Sequence, residues 1–162
     1  MNCIIIDDEP LAREAMEMLV EENKELCLLS MFNNAVSAAR FMEEHSVDLI
    51  FLDIQMPGIN GIDAMKEIKK SNSSTVFIVM SAYDKFDYAQ EAISLGVLEY
   101  ITKPMERKRI LAVLKKAMEI IDREREKRKR ELLVKEKLES EGFQVLLTRD
   151  ADETVSLSER VA

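Results

Sequence analysis

Five polar residues stand directly at the ends of short apolar runs, and their types are those of a charged reaction centre. Asp7 and Asp8 follow the run at 3–6, Asp53 closes the run at 49–53, Ser81 follows 76–80, and Lys103 comes just after 97–101. Three carboxylates brought together repel one another, and a hard divalent cation is the usual means of keeping all of them ionised. Mg²⁺ suits such a set, because it takes oxygen ligands and keeps waters that a phosphoryl oxygen can replace. Lys103 adds a mobile positive charge for an anion. A metal, a lysine and a hydroxyl around one carboxylate are the parts needed to hold a phosphoryl group on that carboxylate, and an aspartate can accept one.

These residues meet only if the runs lie side by side. The runs CIII, LIFL and VFIVM are apolar throughout, as in strands covered on both faces, and a further strand is expected at 26–32. Between them the apolar spacing turns helical. The stripe of the first helix (11–22) is read as Leu11, Ala15, Met18 and Leu19, and that of the second (36–44) as Val36, Ala39, Phe41 and Met42. Ile62, Met65 and Ile68 mark a helix over 62–70, Gly96 closes one over 86–95, and 109–121 forms the fifth. Five strands alternating with five helices predict right-handed βαβ units around a parallel sheet, whose functional crevice lies at the carboxyl ends of the strands.

Composition narrows the alternatives. The 162 residues carry 23 Lys+Arg, 31 Asp+Glu and one His, a net charge of -8 that argues against a broad nucleic-acid footprint. The apolar runs are too short for a membrane-spanning helix, and the acidic start MNCIIIDDEP is unlike a signal peptide. One histidine argues against a His-based metal site or a catalytic triad. Cys3 and Cys27, with no CxxC spacing, read as buried thiols in a reducing compartment.

The segments IIIDDEP, LIFLDIQMPGINGID, VMSAYD and YITKP, in that order, resemble the receiver domain of two-component response regulators over residues 1–121. The resemblance implies a flavodoxin-like doubly wound α/β fold with a five-stranded parallel sheet. It also implies a bacterial cytoplasmic signalling switch that takes its phosphoryl group from a sensor histidine kinase and forms a homodimer when phosphorylated. By position, Asp53 is similar to the phosphoacceptor and Asp8 to the direct Mg²⁺ ligand. Asp7 is similar to the acid that holds the metal through water, and Gln55 to the residue whose backbone carbonyl completes the site. Lys103 is similar to the phosphoryl-binding lysine, Ser81 to the switch hydroxyl and Tyr100 to the switch aromatic. Gln55 and Tyr83 stand where the family tunes dephosphorylation, and Pro57, Gly58, Gly61 and Pro104 shape the loops. Regulators with this receiver detail carry a DNA-binding, transcriptional output domain, and none is present in these 162 residues.

Residues 122–131, DREREKRKRE, read as a charged helical linker with Glu124/Arg128 and Glu126/Arg130 pairs. Residues 132–162 read as a partial α/β segment: a helix closed by Gly142, a strand over 143–148 and a capping-box start at Ser156. KEKLESEGFQVLLTRDADETVSLSERVA resembles an internal fragment of zinc-dependent N-acetylmuramoyl-L-alanine amidases, a truncated or fused piece. No zinc site can be assembled with His45 as the single histidine, so no amidase activity is expected. Two rival readings are a hydrolase, which would turn over an external phosphomonoester, and a receiver that binds without being phosphorylated. The intact acids and Lys103 speak against the second.

Overall fold

The computed structural model describes residues 1–54, 61–82, 86–103 and 106–148. Gln55, Pro57, Gly58, Tyr83 and Pro104, all singled out above, lie outside the described residues, as does the capping box at Ser156. Five strands, β1 (Asn2–Ile6), β2 (Cys27–Phe32), β3 (Leu49–Asp53), β4 (Val76–Ser81) and β5 (Glu99–Thr102), alternate with five helices. These are α1 (Pro10–Glu21), α2 (Ala35–Glu44), α3 (Gly61–Ser71), α4 (Phe86–Ser94) and α5 (Arg107–Thr148). The sheet is parallel throughout, in the order β2-β1-β3-β4-β5. β3 is buried at every residue, which is why its sequence shows no alternation.

Register assembles the rim. Ile6 pairs with Leu52, so Asp7 and Asp53 are the next residues on neighbouring strands. Asp53 pairs with Met80, which sets Ser81 one step beyond it, and Ser81 pairs with Thr102, which sets Lys103 one step beyond that. Neighbouring strands are about 4.8 Å apart, so a lysine two strands from Asp53 and three from Asp7 still reaches both with its long side chain.

Local signals start and stop the helices. Pro10 opens α1, where a missing N–H costs nothing. The Asn34 side chain caps α2 by accepting from the Ser37 N–H at 2.8 Å. Asp63 in the first turn of α3 and Lys69 and Lys70 in its last turn match the helix dipole. Gly96, at φ 82°, follows α4 in the left-handed region.

Several expected faces are displaced. Ile62, Met65 and Ile68 are buried on α3 as expected, but α1 buries Met16 and Val20 and leaves Leu11 79 % and Met18 68 % exposed. α1 carries two adjacent apolar stripes, and docking on the sheet, not the periodicity, chooses between them. α2 buries Met42 and packs Ala39 and Phe41 against the core as expected, adds Ala35 and Ala38 to the buried face, and exposes Val36. Cys3 is buried, and burial followed by the nearby Cys27 pushes its thiol up to about 12, so it stays protonated. Cys27 is exposed, contrary to expectation.

The largest correction concerns the C-terminal region. The strand expected over 143–148 is helical, and α5 runs through Gly142 to Thr148. Adding residues to an existing helix gains one hydrogen bond each, whereas an interior glycine costs only about 1 kcal/mol. A lone strand has no partner to repay its ordering. Two compact units are distinguished, Met1–Glu119 and a second beginning at Ile120. In the second, residues 122–137 are exposed, as a solvated charged helix should be. Among the described residues no helix is long and apolar enough to cross a membrane.

Candidate functional site

The carboxyl ends of β1, β3 and β5 bring Asp7, Asp8, Asp53 and Lys103 together. One carboxylate oxygen from each of the three aspartates lies within 4.8 Å of the others. Asp7 is fully buried and Asp53 nearly so. Lys103 Nζ donates to Asp7 Oδ2 at 2.9 Å and to Asp53 Oδ2 at 3.2 Å. Burial alone would lower the Lys103 pKa, but the hydrogen bond to Asp7 and the charge of Asp53 outweigh it and hold the ammonium above its ordinary value. The donor set is oxygen-only and trianionic, with one compensating ammonium, so it fits a hard divalent cation.

Asp7 is held on every side. Its N–H donates to the Phe32 carbonyl at 3.0 Å, and its Oδ1 accepts from the Glu9 N–H at 2.9 Å. Its carbonyl accepts from Arg13 Nη1 at 2.7 Å. Arg13 is outside the reach of the strand-end argument, since it sits in the first turns of α1; its arginine type within IIIDDEPLARE is the only signal the sequence offers. Among the described residues nothing hydrogen-bonds the Asp8 carboxylate.

Ser81 is buried at the end of β4, and its carbonyl accepts from the Lys103 N–H at 2.7 Å. Tyr100 pairs with Val79, two residues before Ser81, so alternation puts the side chains of Val79, Ser81 and Tyr100 on one face of the sheet. Tyr100 packs there, partly buried, against the core cluster that contains Val79. The two expected switch residues therefore share one side of the sheet.

Gly61, the one expected loop-shaping residue that is described, has a steric reason to be glycine. Its N–H donates to the Ile54 carbonyl at 3.1 Å, and a Cβ there would fall 2.3 Å from Ile54 Cα and 3.0 Å from the Asp53 carbonyl oxygen. Backbone cannot step aside as a flexible side chain does. Gly61→Ala is expected to cost about 3 kcal/mol of stability, read as a shift of the urea midpoint; an unchanged midpoint would contradict the close approach.

A family model described as the response regulator receiver domain matches residues 3–115. The chain is similar to the sensory transduction protein LytT of Bacillus subtilis, 34% identical over 116 residues, covering 72% of this chain and 47% of LytT. The transcriptional regulatory protein MalR of the same organism is 31% identical over 114 residues, covering 70% of this chain and 48% of MalR. The chain thus spans about half the length of these relatives. Among solved structures it resembles the response regulatory domain of mrkE from Klebsiella pneumoniae, at 27% identity and TM-score 0.71 over 76% of this chain and 99% of that one. A CheX-CheY-BeF3-Mg complex from Borrelia burgdorferi shares the fold, at 21% identity and TM-score 0.68 over 73% of this chain and 89% of that one. With the receiver model spanning most of the chain and the acid rim assembled as the fold requires, the protein belongs to the response regulator receiver domain family.

Proposed function

We propose that this receiver is switched by phosphorylation of Asp53, with a sensor histidine kinase as donor. The observation that carries the reading is Lys103 Nζ lying within 3.2 Å of both Asp7 and Asp53 in a cluster of three carboxylates. An Asp53 oxygen attacks phosphorus in line: the N–P bond of the donor phosphohistidine breaks, an O–P bond forms, and the departing imidazole nitrogen takes a proton from solvent. Lys103 turns from the carboxylates to the phosphoryl oxygens and balances their charge. Mg²⁺, held by Asp8 and Asp53, by Asp7 through water and by the Gln55 carbonyl, would supply further charge neutralisation. Gln55 and Tyr83 set the rate at which water removes the group.

The Ser81 hydroxyl then donates to a phosphoryl oxygen, and Tyr100 moves into the space it leaves. Phosphorylation binds one arrangement better than the other, and that difference in affinity sets the shift. The surface of α4, β5 and α5 changes with it, and a second phosphorylated copy docks there in the cytoplasm. Transcriptional output belongs to a domain outside these residues, as the name of MalR suggests for that relative.

The test of this switch is the solution mass of the full chain with Mg²⁺, before and after addition of beryllofluoride, a phosphoryl mimic. The mass should double on addition. An unchanged mass would remove dimerisation from the reading. Repeated turnover of a phosphomonoester, in place of a single labelled aspartate, would favour a hydrolase.

A further inference from the structure

We infer that Arg13 is a positioning residue for divalent-cation binding: by holding the Asp7 carbonyl it fixes the peptide that joins Asp7 to Asp8. This rests on the reading of the acid rim given above. Each oxygen and the N–H of Asp7 has a partner, and those partners come from different elements: Phe32 from β2, Lys103 from beyond β5, Glu9 from the loop and Arg13 from α1. Asp8 has no comparable support. Among the described residues no group hydrogen-bonds its carboxylate, so its direction follows from its own backbone.

Among the described residues, the one side chain that grips that backbone is Arg13, whose Nη1 donates to the Asp7 carbonyl at 2.7 Å. The bond spans six residues and ties α1 back to the loop, while the Arg13 N–H donates to the Glu9 carbonyl at 3.0 Å and starts the helix. β2 therefore holds the preceding peptide, 6–7, through the Asp7 N–H, and the guanidinium holds peptide 7–8 through its carbonyl. Without the guanidinium the Asp7 carbonyl is free to turn, the peptide plane rotates, and the Asp8 carboxylate swings out of the cluster. The carboxylates of Asp7 and Asp53 keep their own contacts to Lys103. Groups that orient metal ligands in this way typically matter by 10–100-fold in affinity.

The experiment uses the full chain and Mn²⁺ as the probe, with free Mn²⁺ followed by electron paramagnetic resonance. The wild type should bind Mn²⁺ and Asp8→Asn should lose it. Arg13→Ala should bind about tenfold more weakly, with Arg13→Lys in between because its single ammonium reaches the carbonyl without the fork. Acceptance of phosphate from acetyl phosphate should return to the wild-type rate once the alanine variant is saturated with metal. A role in stability alone would leave the Mn²⁺ affinity untouched. Equal affinity for wild type and Arg13→Ala overturns the inference, as does a loss of phosphate acceptance that saturating metal does not restore. Should the alanine variant fail to fold, Arg13→Gln, too short to reach the Asp7 carbonyl, carries the same comparison with the same outcomes. If the wild type itself bound no Mn²⁺, or bound it independently of Asp8, the reading of the rim would fall first.

Discussion

Asp53→Asn should take up no label from radioactive acetyl phosphate in the presence of Mg²⁺, while the wild type labels to a single phosphoryl group. The amide is nearly isosteric with the carboxylate, so the fold should stand. What it loses is the anionic oxygen proposed above to attack phosphorus. Asp7 and Asp8 are close by but should not substitute. Asp7 is fully buried, with Oδ1 committed to the Glu9 N–H and Oδ2 to Lys103. Labelling that persists in Asp53→Asn at the wild-type level would refute the assignment of the acceptor.

Lys103→Ala should separate binding from response. The acids remain, so the variant should still bind Mg²⁺. Its charge-assisted hydrogen bond to a phosphoryl oxygen is lost, a contribution of about 2 kcal/mol. That amounts to a roughly thirtyfold smaller shift in the switching equilibrium, read as the beryllofluoride-induced change in solution mass or in backbone amide resonances. Without divalent cation the variant should also be less stable, by about 3 kcal/mol, because two buried carboxylates lose their ammonium. The sign with pH follows from the raised pKa of Lys103. Its contribution is complete below the pKa of a lysine in the unfolded chain and is lost only as pH climbs through the higher folded-state value, so neutral pH should show no such loss. A variant that switches like the wild type would remove the lysine from the mechanism.

The strands and the rim are legible in the sequence for one reason. A parallel sheet covered on both faces needs uninterrupted apolar runs, and such runs leave their polar successors at one edge. Asp7, Asp53 and Lys103 could therefore be grouped without coordinates, and register then sets them level. Helix faces are harder. On α1 the pairs Leu11/Met18 and Met16/Val20 are both spaced for a helix, and only docking on the sheet selects the second. Gly142 reads as a stop in isolation, yet α5 passes through it because a helix already under way tolerates one glycine. Cys27 sits in an apolar strand but at its first residue, where the sheet edge leaves it open. Arg13 is invisible to spacing arguments, since what matters is a side chain folding back onto a carbonyl six residues earlier.

The most direct measurement is chemical. An aspartyl phosphate is an acyl phosphate, and borohydride reduces it to homoserine, leaving a permanent mark at the acceptor. The full chain would be phosphorylated with acetyl phosphate and Mg²⁺, reduced, digested and sequenced by mass spectrometry. Homoserine at position 53 and at no other aspartate is the expected result. Homoserine at position 7 or 8 instead, or none anywhere after confirmed labelling, would contradict the account.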